Sequence, residues 1–183
     1  ALEQNDDAAM QKAMQGVLEV VKSPDDSNYL YCEAARMLSQ IRVGSQTKVA
    51  NDVKPIERIL ERALKARPEW ADLHILKAEI NIIKERFADS IDNYNRALEL
   101  GAVTPHNVSQ LVKLLVLKGR FNEAQTALGK LSPEQLLTIE PQIRTLVSLS
   151  RGDTKEAVKL SEETLKAQPN DPNNYLLHAQ MLM

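Results

Sequence analysis

Apolar residues recur along this chain in steps of three and four, the spacing that puts side chains on one face of an α-helix. Over residues 54–66 the apolar positions are Ile56, Ile59, Leu60, Ala63 and Leu64; over 87–100 they are Phe87, Ile91, Tyr94, Ala97 and Leu98. The same reading predicts helices at 3–22, 28–42, 54–66, 71–84, 87–100, 105–118, 121–131, 140–150, 154–167 and 172–183. Thr104 before Pro105, and Asp171 before Pro172, each put a side-chain acceptor ahead of a proline at the first helical position. Ser132-Pro133-Glu134-Gln135 has the capping-box spacing and predicts one extra helical turn before Pro141 restarts the chain. Gly101, Gly119 and Gly152 mark helix ends. A helix with one apolar stripe cannot bury it alone, so these helices must pack on one another.

The pattern repeats. ERALKARP at 61–68 recurs as NRALELGA at 95–102, and 95 − 61 = 34. EETLKAQP follows at 162–169, where 162 − 61 = 101, one short of three times that step. A second element, ERFADSI (85–91), GRFNEAQ (119–125) and RGDTKEAV (151–158), keeps the same register. Ala63, Ala97, Leu131 and Thr164 then share one late slot, and Pro68 and Pro169 close their units. These residues resemble the tetratricopeptide repeat, with its small residue early in the second helix and its Ala-Leu near that helix's end. The resemblance covers residues 24–183 and is strongest over 54–100. It implies an all-α fold, a right-handed α-solenoid of antiparallel helix pairs wound into a superhelix.

The register divides the chain into a closing helix of a preceding repeat (1–23), a first repeat (24–68) with an insertion between its helices (43–53), and repeats at 69–102, 103–136 and 137–169. The first helix of an incomplete fifth repeat occupies 170–183. Ala9, Ala13, Val17, Val20 and Val21 give the opening helix an apolar face. The final helix lacks a partner in the sequence, so we expect a fragment of a longer array or an end that pairs with another chain. The units are degenerate. His74 stands where the family usually has Trp, and Lys77 and Asn81 where it prefers Leu and Tyr. Thr145 stands at the usual Gly.

In the family, the first helix of each pair lines a concave groove. Carried over residue by residue, the groove positions are Asp72, Ile75, Glu79, Ile82 and Ile83 in the second unit. They are His106, Ser109, Lys113, Val116 and Leu117 in the third, and Gln142, Leu146, Leu149 and Ser150 in the fourth. Aliphatic side chains with sparse charges suit an extended or helical peptide with apolar anchors. The alternative is ordinary solvent surface. Members that clamp a C-terminal carboxylate use Lys, Asn and Arg; here those sites hold Leu30, Ile75, Glu79, Ser109 and Lys113, and Glu79 would repel a carboxylate.

Charge and chemistry narrow the classes. A net charge of −2 argues against a general grip on nucleic acid. No apolar run approaches the ~20 residues of a membrane helix, and the reading is of a soluble protein, with the cytoplasm as its expected compartment. No zinc-protease, Cys-pair, phosphate-loop or nucleophile-elbow motif occurs. His74, His106 and His178 fall in different units, so no metal and no cofactor is expected. The single cysteine, Cys32, reads as a small buried hydrophobe rather than a nucleophile. The chain is therefore expected to be no enzyme but a scaffold for a protein or peptide partner. The alternatives are a regulatory or assembly segment of a larger multidomain protein, with self-association through 172–183, and, more remotely, an RNA-binding helical repeat.

Overall fold

The structure, a computed structural model, describes residues 25–43 and 53–183, together with positions 9, 12, 13, 15–17, 19, 20 and 23. Among the described residues there is no strand. The chain divides into two compact units, residues 1–101 and 102–183.

The first unit contains α1 (Ser27–Val43), α2 (Lys54–Ala66), α3 (Ala71–Ile83) and α4 (Phe87–Glu99). α1 pairs with α2 and α3 with α4, while α3 also touches both helices of the preceding pair. Leu30, Ala34 and Leu38 of α1 meet Ile56, Leu60 and Ala63 of α2 and Leu73 and Ile80 of α3 in one core. Ala63 and Ala97 are fully buried, so the helices approach closely at these slots. Ser90 donates from Oγ to the Ala78 carbonyl at 2.8 Å, fastening α4 to α3 where a hydroxyl would otherwise be buried without a partner.

The second unit contains α5 (Pro105–Leu117), α6 (Phe121–Leu128), α7 (Pro133–Leu136), α8 (Pro141–Ser150), α9 (Thr154–Ala167) and α10 (Pro172–Leu182). α5 pairs with α6, α8 with α9 and α9 with α10, and α8 also rests on α5 and α6. The predicted caps form. Thr104 Oγ1 accepts from the Asn107 amide, Asp171 Oδ1 from the Asn173 amide, and Ser132 and Gln135 make the reciprocal capping box. α6 ends at Leu128 rather than at 131, because Gly129 caps it and the chain then turns through Lys130 and Leu131.

Three first-helix ends share one closing geometry. Arg86 N–H bonds back to Asn81 O, Arg120 to Leu115 O and Asp153 to Ser148 O, while Glu85, Gly119 and Gly152 bond to the carbonyls of Ile82, Val116 and Leu149. This is the Schellman closure, and its middle residue is left-handed: φ is 57° at Glu85, 69° at Gly119 and 78° at Gly152.

One expectation, the burial of Cys32, needs correction. Of the apolar positions of the opening helix, Val17 is half-buried while Ala9, Ala13 and Val20 are exposed, Val20 by 80%. No described residue covers them, and Val21 lies outside the described residues. Cys32 is half-buried rather than buried. Burial pushes its thiol pKa up, away from the thiolate form that a nucleophile uses. Of the insertion 43–53, residues 44–52 lie outside the described residues, and Val53 is fully buried against α1 and α2.

Candidate functional site

In the first unit the helical period puts Asp72, Ile75, Glu79, Ile82 and Ile83 on one side of α3. Core residues Leu73, Leu76 and Ile80 are buried, while Ile75, Glu79, Ile82 and Ile83 are half-buried and Asp72 is exposed. The face also holds two aromatics that the sequence reading passes over. Tyr31 of α1 and Trp70, the residue capping α3, lie 5.1 Å apart between ring centroids at 32°. Trp70 Nε1 donates to Asp72 Oδ2 at 3.0 Å, and the Arg67 guanidinium sits 5.2 Å from the Trp70 ring centroid. Burial, then the charge of Asp72, then Cys32 and Glu79, raise the Tyr31 phenol above its ordinary pKa. Leu30, assigned to this face from the family's clamp positions, is 2% exposed and belongs to the core. Tyr31 takes its place as the contribution of α1.

In the second unit Ser109, Lys113, Val116 and Gln142 are half-buried, and His106, Leu146 and Leu149 are exposed. Leu117 is 64% exposed, Leu146 41% and Leu149 37%. Ser150 is exposed, and its hydroxyl donates to Val147 O. Lys113 is no free cation: its Nζ lies 2.5 Å from Glu140 Oε1, tying α5 to the residue that caps α8. Gln142 donates to Asn174 Oδ1 at 3.0 Å.

Polar side chains at the starts of three helices bond back to the preceding turn. His74 Nε2 lies 2.8 Å from Pro68 O, Asn107 Nδ2 donates to Ala102 O, and Asn174 Nδ2 donates to Gln168 O. Each bonds a carbonyl in the turn that follows the preceding helix, and the Ala102 and Gln168 carbonyls also accept the Thr104 and Asp171 amides.

His178 Nδ1 lies 2.9 Å from Ser161 Oγ, a pair that resembles nucleophile and base. The serine is fully buried and its hydroxyl donates to Val158 O at 2.7 Å, so its oxygen accepts from the imidazole N–H. The pair joins α9 to α10, with Ser161 buried and His178 half-buried. Among the described residues no three His, Cys, Asp or Glu side chains converge as metal ligands.

A second concavity lies on the other side of α3. A cleft of about 310 Å³ opens between α2, α3 and α4, with Leu60, Leu64 and Ile80 among its lining. Lys77 and Asn81, two of the three departures from the family's pattern on α3, also line it; His74 does not.

The fold is that of tetratricopeptide-repeat proteins. YrrB, described as a TPR protein with an unusual peptide-binding site, superposes with a TM-score of 0.72 over 92% of this chain and 81% of its own, at 15% identity. TTC0263, a thermophilic TPR protein in Thermus thermophilus, superposes with a TM-score of 0.52 over 96% of this chain and 90% of its own, at 19% identity. No protein-family model and no curated protein sequence matches the chain.

Proposed function

We propose that this chain is a non-catalytic scaffold that holds an extended or helical protein segment on the faces presented by the first helices of its repeats. The observation that carries this reading is the half-exposed aliphatic row Ile75, Ile82 and Ile83 on α3, flanked by Tyr31, Trp70, Asp72 and Glu79. Partly buried aliphatics beside rigid aromatics are the anchors that peptide recognition uses, and charged neighbours set orientation. The acidic pair Asp72 and Glu79 favours an internal segment over a free C-terminal carboxylate. That YrrB, with the same fold, is described as having a peptide-binding site is consistent with this use.

The test is selection of random peptides on the full chain, followed by fluorescence anisotropy with Ile75→Arg and Ile82→Arg. Selected peptides should weaken by about tenfold or more on either change, the cost of losing one buried apolar anchor. Unchanged affinity in both folded variants would remove these faces as the binding surface.

A second reading rests on α10, whose Tyr175, Leu176 and Leu182 are 54%, 62% and 65% exposed. Its free apolar side suits another helix, and a second copy of this chain is the candidate occupant.

A further inference from the structure

The cleft between α2, α3 and α4 is separate from the faces proposed above. At about 100° per residue, Lys77 and Asn81 project from the side of α3 roughly opposite Ile75 and Glu79. Its lining is largely polar, and its apolar part comes from Leu64, which is half-buried, above the buried Leu60 and Ile80. At about 310 Å³ it is the size of one long side chain with its flanking backbone.

Asn81 marks it as more than a gap. Its residue is only 5% exposed, and it lines the cleft. Its carboxamide makes no side-chain hydrogen bond among the described residues, and no side-chain nitrogen or oxygen is both sealed from solvent and unpartnered. The amide therefore opens onto the cleft. A nearly buried amide without a protein partner calls for one from outside. A peptide N–H or C=O can supply it, since a carboxamide both donates and accepts.

The rim sets the sign of the ligand. Glu57 is already held by Lys84, with Oε1 and Nζ 2.5 Å apart. Glu61, Asp89 and Asp92 line the cleft and are exposed, with no ion pair among the described residues. Lys77 and Arg86 oppose them, which leaves one carboxylate in excess. An apolar strip at Leu64 beside a mixed rim with one carboxylate in excess fits a side chain with a methylene stem and a cationic head.

We infer that this cleft binds a lysine- or arginine-bearing segment of an extended peptide, with the Asn81 carboxamide bonded to its backbone and the cationic head at Asp89, Asp92 and Glu61. The cleft can do this whether or not the opposite face of α3 holds a peptide.

The experiment is an amide-resolved NMR titration of the full chain with acetyl-Gly-Arg-Gly-amide and acetyl-Gly-Lys-Gly-amide, to about 10 mM so that millimolar affinity is seen. Citrulline and glutamate counterparts serve as neutral and anionic probes. The expected result is saturable shifts of the Asn81 side-chain NH2 and the Ile80 and Asp89 amides with the cationic peptides, and weaker binding of the citrulline peptide. Asp89→Asn/Asp92→Asn, changed at exposed positions, should weaken the cationic peptides by about fivefold and leave the spectrum otherwise folded. Asn81→Ala should weaken arginine and citrulline peptides alike, because it removes the backbone contact. Equal binding of citrulline, preference for glutamate, or no saturable shift at Asn81 each overturns the inference. Shifts confined to Ile75 and Trp70 also overturn it, while supporting the separate reading of that face.

Discussion

Glu85 carries a left-handed backbone with a side chain, where Gly119 and Gly152 carry the same turn without one. A left-handed L-residue costs roughly 1–2 kcal/mol, and glycine returns part of that by its extra freedom in the unfolded chain. Glu85→Gly should therefore stabilise the first unit by about 0.5–1 kcal/mol, and Gly152→Ala should destabilise the second by about 1 kcal/mol. Urea midpoints at constant m-value check both. The sequence shows a glycine signal at two of these turns and none at Glu85, so only the 34-residue register reveals the third. Tyr31 carries a pH dependence of its own. Its folded-state pKa is raised, by burial first and by Asp72 next, above the unfolded value near 10. Folding thus favours the neutral phenol. The contribution is fully present below about pH 10 and is lost as pH rises through the folded pKa. Stability should fall more steeply above about pH 10 in the wild type than in Tyr31→Phe, as paired denaturation curves would record.

Among the elements, the late small slot sets how closely helices pack. Ala97 is fully buried in α4 beside Ile91, Tyr94 and Leu98. Ala97→Leu should overpack it and cost about 1–3 kcal/mol. A thermal midpoint unchanged from wild type would show that α3 and α4 can separate at no cost. This slot, the caps at Thr104, Ser132 and Asp171, and most helix bounds are legible in the sequence because they are local or periodic. The rest depends on contacts distant in sequence. Tyr31 meets Trp70 across a segment of different length from the other inter-helix turns. Leu30 points into the core instead of the α3 face. Lys77 and Asn81 read as weak repeat residues, and only the placement of α2 and α4 around them makes a cleft. Lys113 reads as a free groove cation until Glu140 is brought beside it.

For the whole molecule, the question is which apolar surface the fold leaves for something else. α10 buries Asn174 and meets α9 through the Ser161–His178 hydrogen bond, yet Tyr175, Leu176 and Leu182 face solvent. In a repeat array each helix pair is stabilised by its neighbours, and exposed apolar side chains on a helix are surface that another helix can bury. If a second copy covers it, association depends on chain concentration and on these side chains. Sedimentation equilibrium across a concentration series should then show self-association in the wild type and a monomer in Leu176→Glu/Leu182→Glu. Both positions are exposed, so the double variant should keep its fold, which circular dichroism checks. If both proteins are monomeric and equally folded, α10 is tolerated as open surface. A second copy is then excluded as its occupant, and the α3 face and the Asn81 cleft remain as the surfaces for a different partner.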